Sequence, residues 1–590
     1  MNSITRPGDI RLAERRQPTR ASGIVFAAKA AGLRLRRRLT DGLAPLPRLA
    51  PLSRLATDAP AGYPVLLAES VTPLWSDPRL SETRYQFGKV ENLRRAAAAF
   101  DGLALPAGGV FSFWKQLGKP SRRRGFVDGR MLREGCLVPS IGGGLCQISN
   151  ALYDLALQAG AEIIERHAHS RIVPGSLAAF GRDATVAWNY VDLRFRMPQD
   201  ALLRARLGAS TLTLQLYGRS AVTGTARQSA EAATDLPVAN DCGSCGETGC
   251  FRHERATAPV AGRTAFLLDE AWPEFRAYVG ERRARGDILA IPLDGRRWNR
   301  PRYTWMTEGY GTVVTATVAS LTHAFLARHA AANGARVVAQ LRRAEAVARR
   351  LGRALAPDAT EVCVAQSLLP FLWRAGLLGG RRITVLMTRL PMAALQAKLD
   401  AAAAAHPERA TLADFRAPAD LVAAEAEALA AAERIVTPHA EIAALFPGRA
   451  ERLDWRMPEA AVIPRSLHAR AVAFPGPSLA RKGAHELRAA ALHLGLDVVL
   501  LGSTLEGEAF WHGLSTRPAD AGWRSEVAAV VQPALVEEQP RTLLAALAAG
   551  IPVIATLACG IAPRPGLTLV PAGDTQALVR AIAKITHTGH

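Results

Sequence analysis

The stretch Phe474–Ser503, FPGPSLARKGAHELRAAALHLGLDVVLLGS, decides the fold. Apolar ends flank a basic Arg481-Lys482-Gly483 turn and an amphipathic run, so it reads strand, turn, helix, then a strand ending at Gly502. A basic turn at the mouth of a parallel sheet suits an anionic diphosphate, helped by the helix N-terminus. Downstream, Val530–Ile561 (VVQPALVEEQPRTLLAALAAGIPVIATLACGI) reads strand, acidic loop, helix, Gly550, strand, and Val570–Ile585 adds a strand end and a capped helix. Upstream the alternation reaches back to Val260 through apolar runs at Ala265–Leu268, Ile288–Pro292 and Thr384–Met387. Strand–helix–strand repetition implies α/β architecture with parallel sheets covered on both faces. About 330 residues of it suits two such lobes, with a seam near Pro458–Pro464.

At roughly 150 residues per domain, 590 residues argue for about three or four domains. With 49% hydrophobic and 21% charged residues the chain is mostly globular. Net charge is +21, and 7 of the 73 basic residues are lysine, leaving 73 − 7 = 66 arginines. They are spread along an alanine-rich chain with 6% aromatics, which argues against a nucleic-acid partner. Residues 1–61 are the exception. The first 60 hold 12 basic against 4 acidic residues, including Arg34, Arg36, Arg37 and Arg38, with no sustained period. We read them as a loosely ordered basic tail drawn to an anionic membrane surface. No apolar run approaches the ~18 residues of a membrane span. The N-terminus also lacks a signal-peptide core, so the expected location is cytoplasmic, peripheral at the inner face of the membrane.

Between Pro139 and Trp188 lies the densest chemistry. After Gly142–Gly144, apolar residues at Ile148, Ala151, Leu152, Leu155 and Ala156 form a helical stripe that puts Cys146 in the first turn. The positive helix end there favours a thiolate. His169 and Asp183 follow in the order used by cysteine acyl-transfer enzymes. The bland alternative is a small buried cysteine and histidines satisfying backbone groups.

Six ordered motifs surround these residues: Gln86–Arg94 (QFGKVENLR), Val110–Gly118 (VFSFWKQLG), Gly142–Tyr153 (GGGLCQISNALY), Glu165–Ser170 (ERHAHS), Asp183–Val186 (DATV) and Asn189–Phe195 (NYVDLRF). Together they resemble the VanW family, over residues 62–216. The resemblance implies an α+β domain linked to cell-envelope biology. Its distinctive positions fall on Gln86, Lys89, Asn92, Gly142–Gly144, Cys146, Gln147, Arg166, His167 and His169.

Residues 217–257 form a polar linker in which Cys242, Cys245, Cys250 and His253 are spaced C-x2-C-x4-C-x2-H. Three thiolates and an imidazole suit a structural zinc ion, with an iron–sulfur cluster as the alternative metal and a metal-free, redox-labile linker as the plain one.

Residues 258–457 and 458–590 resemble the two Rossmann-like lobes of GT-B glycosyltransferases, closest over 460–585. The resemblance implies a nucleotide-sugar donor held by Lys482 and Arg481, with Glu538 as the first glutamate of an E-x7-E signature. The second falls on Ala546, or on Ala545 after a shift of one residue, and a Gly-Gly loop after the first strand is missing. His439, in Val436–Phe446, is expected either in the cleft or on the surface behind a Thr437 helix cap.

The leading functional expectation is a glycosyltransferase that moves a sugar to a cell-envelope glycan or lipid-linked acceptor, fused to a VanW-like module. One alternative is a Cys146-dependent acyltransferase or amidase with a non-catalytic GT-B region. The other is a glycan- or muropeptide-binding scaffold.

Overall fold

Phe474–Ser503 folds as a strand (Ala471–Phe474), a short turn (Ala480–Lys482), a helix (Ala484–Leu494) and a second strand (Asp497–Leu500) parallel to the first. These coordinates are a computed structural model, which describes residues 20–43, 46–49, 62–133, 136–169, 177–221, 257–328, 333–414, 416–460, 462, 469–507 and 509–587. The chain forms two compact units. One is residues 1–262 with 356–360 and 375–381, and the other is the remainder.

Within the second unit, the C-terminal sheet has six strands in the order Thr516–Pro518, Asp497–Leu500, Ala471–Phe474, Val527–Gln532, Val553–Ala555, Leu567–Leu569. All its pairings are parallel. Sequence order therefore runs outward one way from Ala471–Phe474, then reverses and runs outward the other way from Val527–Gln532. Every residue of those two central strands is buried, as expected where helices cover both faces. The preceding sheet has seven strands with the same reversal: Thr312–Thr315, Ile288–Ile291, Arg263–Leu267, then Ala359–Ala365, Arg382–Leu386, Arg434–Thr437, Ala450–Arg452. These are two Rossmann-like lobes, the doubly wound build expected from the alternation.

The first unit is mixed α/β. Val65–Pro73, Thr211–Gly218, Ala201–Leu207 and Leu103–Leu105 form an antiparallel sheet. A three-stranded sheet (Val110–Ser112, Arg194–Arg196, Glu162–Glu165) and a hairpin (Asp128–Arg133, Cys136–Ile141) complete it. The helix Cys146–Gln158 inserts its stripe of Ile148, Ala151, Leu152, Leu155 and Ala156 into a core shared with Phe100, Phe111, Phe113 and Phe195. Burying each large member contributes about 1.5–3 kcal/mol, which fixes the helix and so its first residue.

One difference lies in the segment read as a loosely ordered tail. Arg20–Leu43 is a helix. Its Arg34 Nε–H donates to Trp188 O at 2.8 Å, Arg37 forks onto Glu165, and Asp41 pairs with Arg194 at 2.9 Å. The helix is held by polar contacts at i, i+3 and i+7, a face that an apolar periodicity does not reveal.

Candidate functional site

Cys146 is the first residue of its helix and is half-buried. Gly144 turns the chain into it at φ +92°, and a Cβ there would lie 2.3 Å from Lys89 Cγ, so only glycine fits. Two segments bring the partners in. Thr185 N–H donates to His167 O at 2.8 Å, and Arg166 Nε–H donates to Asp183 O at 2.6 Å. Asn150, one turn along from Cys146, accepts the Ala184 N–H at 2.8 Å and ties this pair of segments to the helix. As a result His169 N–H donates to Asp183 Oδ2 at 2.6 Å, and His169 Nδ1 bonds Asp183 Oδ1. The Cys146 sulfur lies 3.6 Å from Thr185 Oγ1, on the segment that also carries Asp183, and His169 acts on it electrostatically. Because Asp183 occupies Nδ1, Nε2 is the nitrogen assigned to the sulfur.

Burial pushes the Cys146 thiol up, but hydrogen bonds from His169, Val186 and Thr185, with the His169 charge, outweigh it and leave the thiol below its ordinary value. Burial pulls His169 down, and Asp183 and Cys146 more than reverse this, raising it to about 10. Both shifts favour a thiolate–imidazolium pair. Cys363 and Cys559, by contrast, are pushed by burial up to about 12. Cys146, His169 and Asp183 are thus brought together from three places in the sequence. His167 is not part of the group: it is exposed, with Nε2 3.2 Å from Glu165.

In the second unit, Lys482 closes the short turn after Ala471–Phe474 and is buried. Its Nζ donates to Glu537 Oε2 at 2.9 Å. Gln532 also donates to that oxygen, and the Gln539 N–H donates to Oε1 at 2.9 Å. Burial pushes the Glu537 carboxyl up, and the Lys482 charge with these hydrogen bonds holds it below the usual range. The Arg481 carbonyl accepts the Leu535 and Val536 N–H groups at 2.9 and 3.1 Å, docking the basic turn against the acidic loop. Glu538, the glutamate picked from the sequence, is half-buried and lends its charge to Arg481. The residue that holds Lys482 is Glu537, one position earlier, and the partner position of the signature then falls on Ala545. Adjacent acids look alike in sequence, and the loop's docking on Arg481 decides which one turns inward.

His439 fits neither expectation. It is buried, and it caps the helix Ala440–Ala444 itself, with Nδ1 accepting the Ile442 N–H at 3.4 Å and Nε2 donating to Glu537 O at 2.9 Å. Burial keeps it below its ordinary value. It thus links the first lobe to the loop that holds Lys482. Beside it Gly560, at φ +67°, packs so closely that a Cβ would lie 2.3 Å from the imidazole.

A second polar link joins the lobes. Fully buried Glu274 accepts from Arg541 Nη1 at 2.9 Å and Nη2 at 2.6 Å, and from Arg456 N–H at 2.7 Å. The guanidinium lies over both Trp272 and Trp455, 5.1 and 5.2 Å from their ring centres. The clue was the Trp-Pro-Glu helix start, but its partner lies 267 residues away.

Cys242, Cys245, Cys250 and His253 lie outside the described residues. Among the described residues no cluster of three or more His, Cys, Asp or Glu could hold a metal ion, and no helix is long and apolar enough to cross a membrane.

Comparison with known proteins agrees with this division. The family model described as VanW like protein matches residues 88–217, and the one described as Glycosyl transferases group 1 matches residues 484–588. The chain thus carries a VanW-like domain and a glycosyltransferase group 1 domain. It is 34% identical over 142 residues to the vancomycin B-type resistance protein VanW of Enterococcus faecalis, covering 23% of this chain and 51% of that protein. It is 31% identical over 148 residues to the uncharacterized protein YoaR of Bacillus subtilis, covering 25% and 48%. The chain therefore spans about half the length of these curated relatives. Solved structures similar to it include the lipopolysaccharide outer core galactosyltransferase WaaB, at 13% identity, TM-score 0.33, 55% of this chain and 90% of that one. Another is the sucrose-phosphate synthase of Thermosynechococcus elongatus, at 14% identity, TM-score 0.33, 56% and 93%.

Proposed function

We propose that the second unit transfers a sugar from a nucleotide-sugar donor to a cell-envelope glycan or lipid-linked acceptor. The observation that carries this reading is where the Lys482–Glu537 pair sits. Lys482 follows Ala471–Phe474 and Glu537 follows Val527–Gln532, the two adjacent strands at which the sheet order reverses. The crevice outside the carboxyl ends of strands at such a reversal is where open α/β sheets bind ligands. A buried ammonium there, beside the N-terminus of the helix Ala484–Leu494, suits a diphosphate. Glu537 serves as its counter-charge until the donor arrives. As the sugar–phosphate bond breaks, charge grows on the diphosphate, and a fixed ammonium in a buried site stabilises it. With Ala545 in place of a second acid, donor binding leans more heavily on the phosphates.

Calorimetry against a panel of nucleoside diphosphates tests this. One should bind, and Lys482→Met should weaken it by about 10- to 100-fold, the loss of one charge-assisted contact. No binding by any member contradicts the reading.

We further propose that the chain works at the cytoplasmic face of a membrane. The support is the helix Arg20–Leu43, where exposed Leu35, Leu39 and Leu43 stand beside Arg36 and Arg38. Sedimentation with phosphatidylglycerol vesicles, weakened by salt and lost in Leu35→Glu/Leu39→Glu, is the expected result. Equal sedimentation of the variant would remove this part.

A further inference from the structure

We propose that Cys146, His169 and Asp183 form a second active centre, which takes an acyl group from a peptide or amide donor onto the Cys146 sulfur and passes it to water or an amine. This inference is independent of sugar transfer.

The arrangement has each part such chemistry requires. The nucleophile heads a helix and is half-buried rather than enclosed. Its sulfur lies 3.6 Å from Thr185 Oγ1, two residues along from Asp183, which holds His169. Asp183 takes both the backbone N–H and Nδ1 of His169, so the ring is held in one orientation and Nε2 is left as the nitrogen to serve the sulfur. Asn150 and Arg166 fix the segment that carries Asp183. A structural cysteine needs none of this. Cys363 and Cys559, which are fully enclosed, show the contrast.

The steps balance. The Cys146 thiolate adds to the carbonyl carbon, and the oxyanion forms at the positive N-terminal end of the helix Cys146–Gln158. The C–N bond breaks as the imidazolium gives its Nε2 proton to the departing amine, leaving a thioester and neutral His169. Water or a second amine then attacks the thioester carbon and gives its proton to His169. The C–S bond breaks, and the thiolate–imidazolium pair returns. Cys146 and His169 are the catalytic residues, and Asp183 positions His169. Charged groups nearby include Arg166, bonded to the Asp183 carbonyl, and Lys89, whose stem lies along Gly144.

The test uses the full-length chain. Iodoacetamide alkylation is followed by peptide-resolved mass spectrometry from pH 5 to 9, so that Cys146 is scored apart from the other cysteines. An ordinary thiol is under about 1% ionised at pH 6. Wild-type Cys146 is expected to react faster than an ordinary thiol at pH 6, with its rate profile shifted to lower pH. His169→Gln and Asp183→Asn are expected to restore an ordinary thiol profile and slow the reaction at pH 6 at least ~30-fold. p-Nitrophenyl acetate should then give a stoichiometric burst of p-nitrophenolate with acetyl on Cys146, and turnover faster than in His169→Gln. A wild-type profile matching an ordinary thiol overturns the proposal, and needs no variant to fold. So does an acetyl thioester that wild type clears no faster than His169→Gln.

Discussion

Replacing Arg541 with alanine should be far more damaging than its position on a helix start suggests. Glu274 is 0% exposed, and Arg541 supplies two of its three hydrogen bonds. Arg541→Ala leaves a buried carboxylate with the Arg456 N–H alone. Breaking a buried pair by removing one partner costs about 3–5 kcal/mol. The remaining N–H moves the expectation toward the lower end, and loss of the guanidinium over Trp272 and Trp455 moves it back by about 0.5–1 kcal/mol. Glu274→Gln is different in kind. The guanidinium it abandons is 34% exposed and can be hydrated, so the cost should be about 1–2 kcal/mol. Thermal unfolding followed by tryptophan fluorescence reads both changes, with Trp272 and Trp455 as local reporters. The expected shift for Arg541→Ala is on the order of 10 °C, and for Glu274→Gln less than half of that. Equal shifts, or an Arg541→Ala variant within 1 °C of wild type, would refute the claim that an abandoned buried charge dominates.

His439 gives a pH signature. Burial holds its folded value below 6.5, so on acidification the unfolded chain takes up the proton first. Stability is therefore present above about pH 6.5 and lost as pH falls below it; melting curves from pH 5 to 8 should show this slope reduced in His439→Gln. Gly560→Ala forces a side chain into a left-handed position against the His439 ring. It should cost about 2 kcal/mol or more, read as a lowered melting temperature.

Much of this was legible because parallel α/β lobes write themselves as repeated apolar runs, and the runs at Ala265–Leu268, Ile288–Pro292 and Thr384–Met387 each hold the core of a strand. The Cys146 stripe was legible for the same reason, since five apolar residues at helical spacing all reach one core. What escaped was polar and long-range. Glu537 and Glu538 are indistinguishable until the loop docks, and Glu274 has no visible purpose without Arg541. In the helix Arg20–Leu43 the ordering contacts are Arg34, Arg37 and Asp41, so a search for apolar period passes over it. His439 was read as a choice between cleft and surface, whereas its two ring nitrogens cap a helix and bridge the lobes.

The central claim is sugar transfer at the Lys482–Glu537 pair, and the most direct measurement is release of free nucleotide from a panel of nucleotide sugars. Wild type, Lys482→Ala and Glu537→Gln would be run together, with Cys146→Ser as a control outside that site. The account predicts turnover of one donor, unchanged in Cys146→Ser and reduced at least ~100-fold in Lys482→Ala, as expected when a preorganised charge on the leaving group is removed. Release that persists in Lys482→Ala, or no release from any donor, would contradict it.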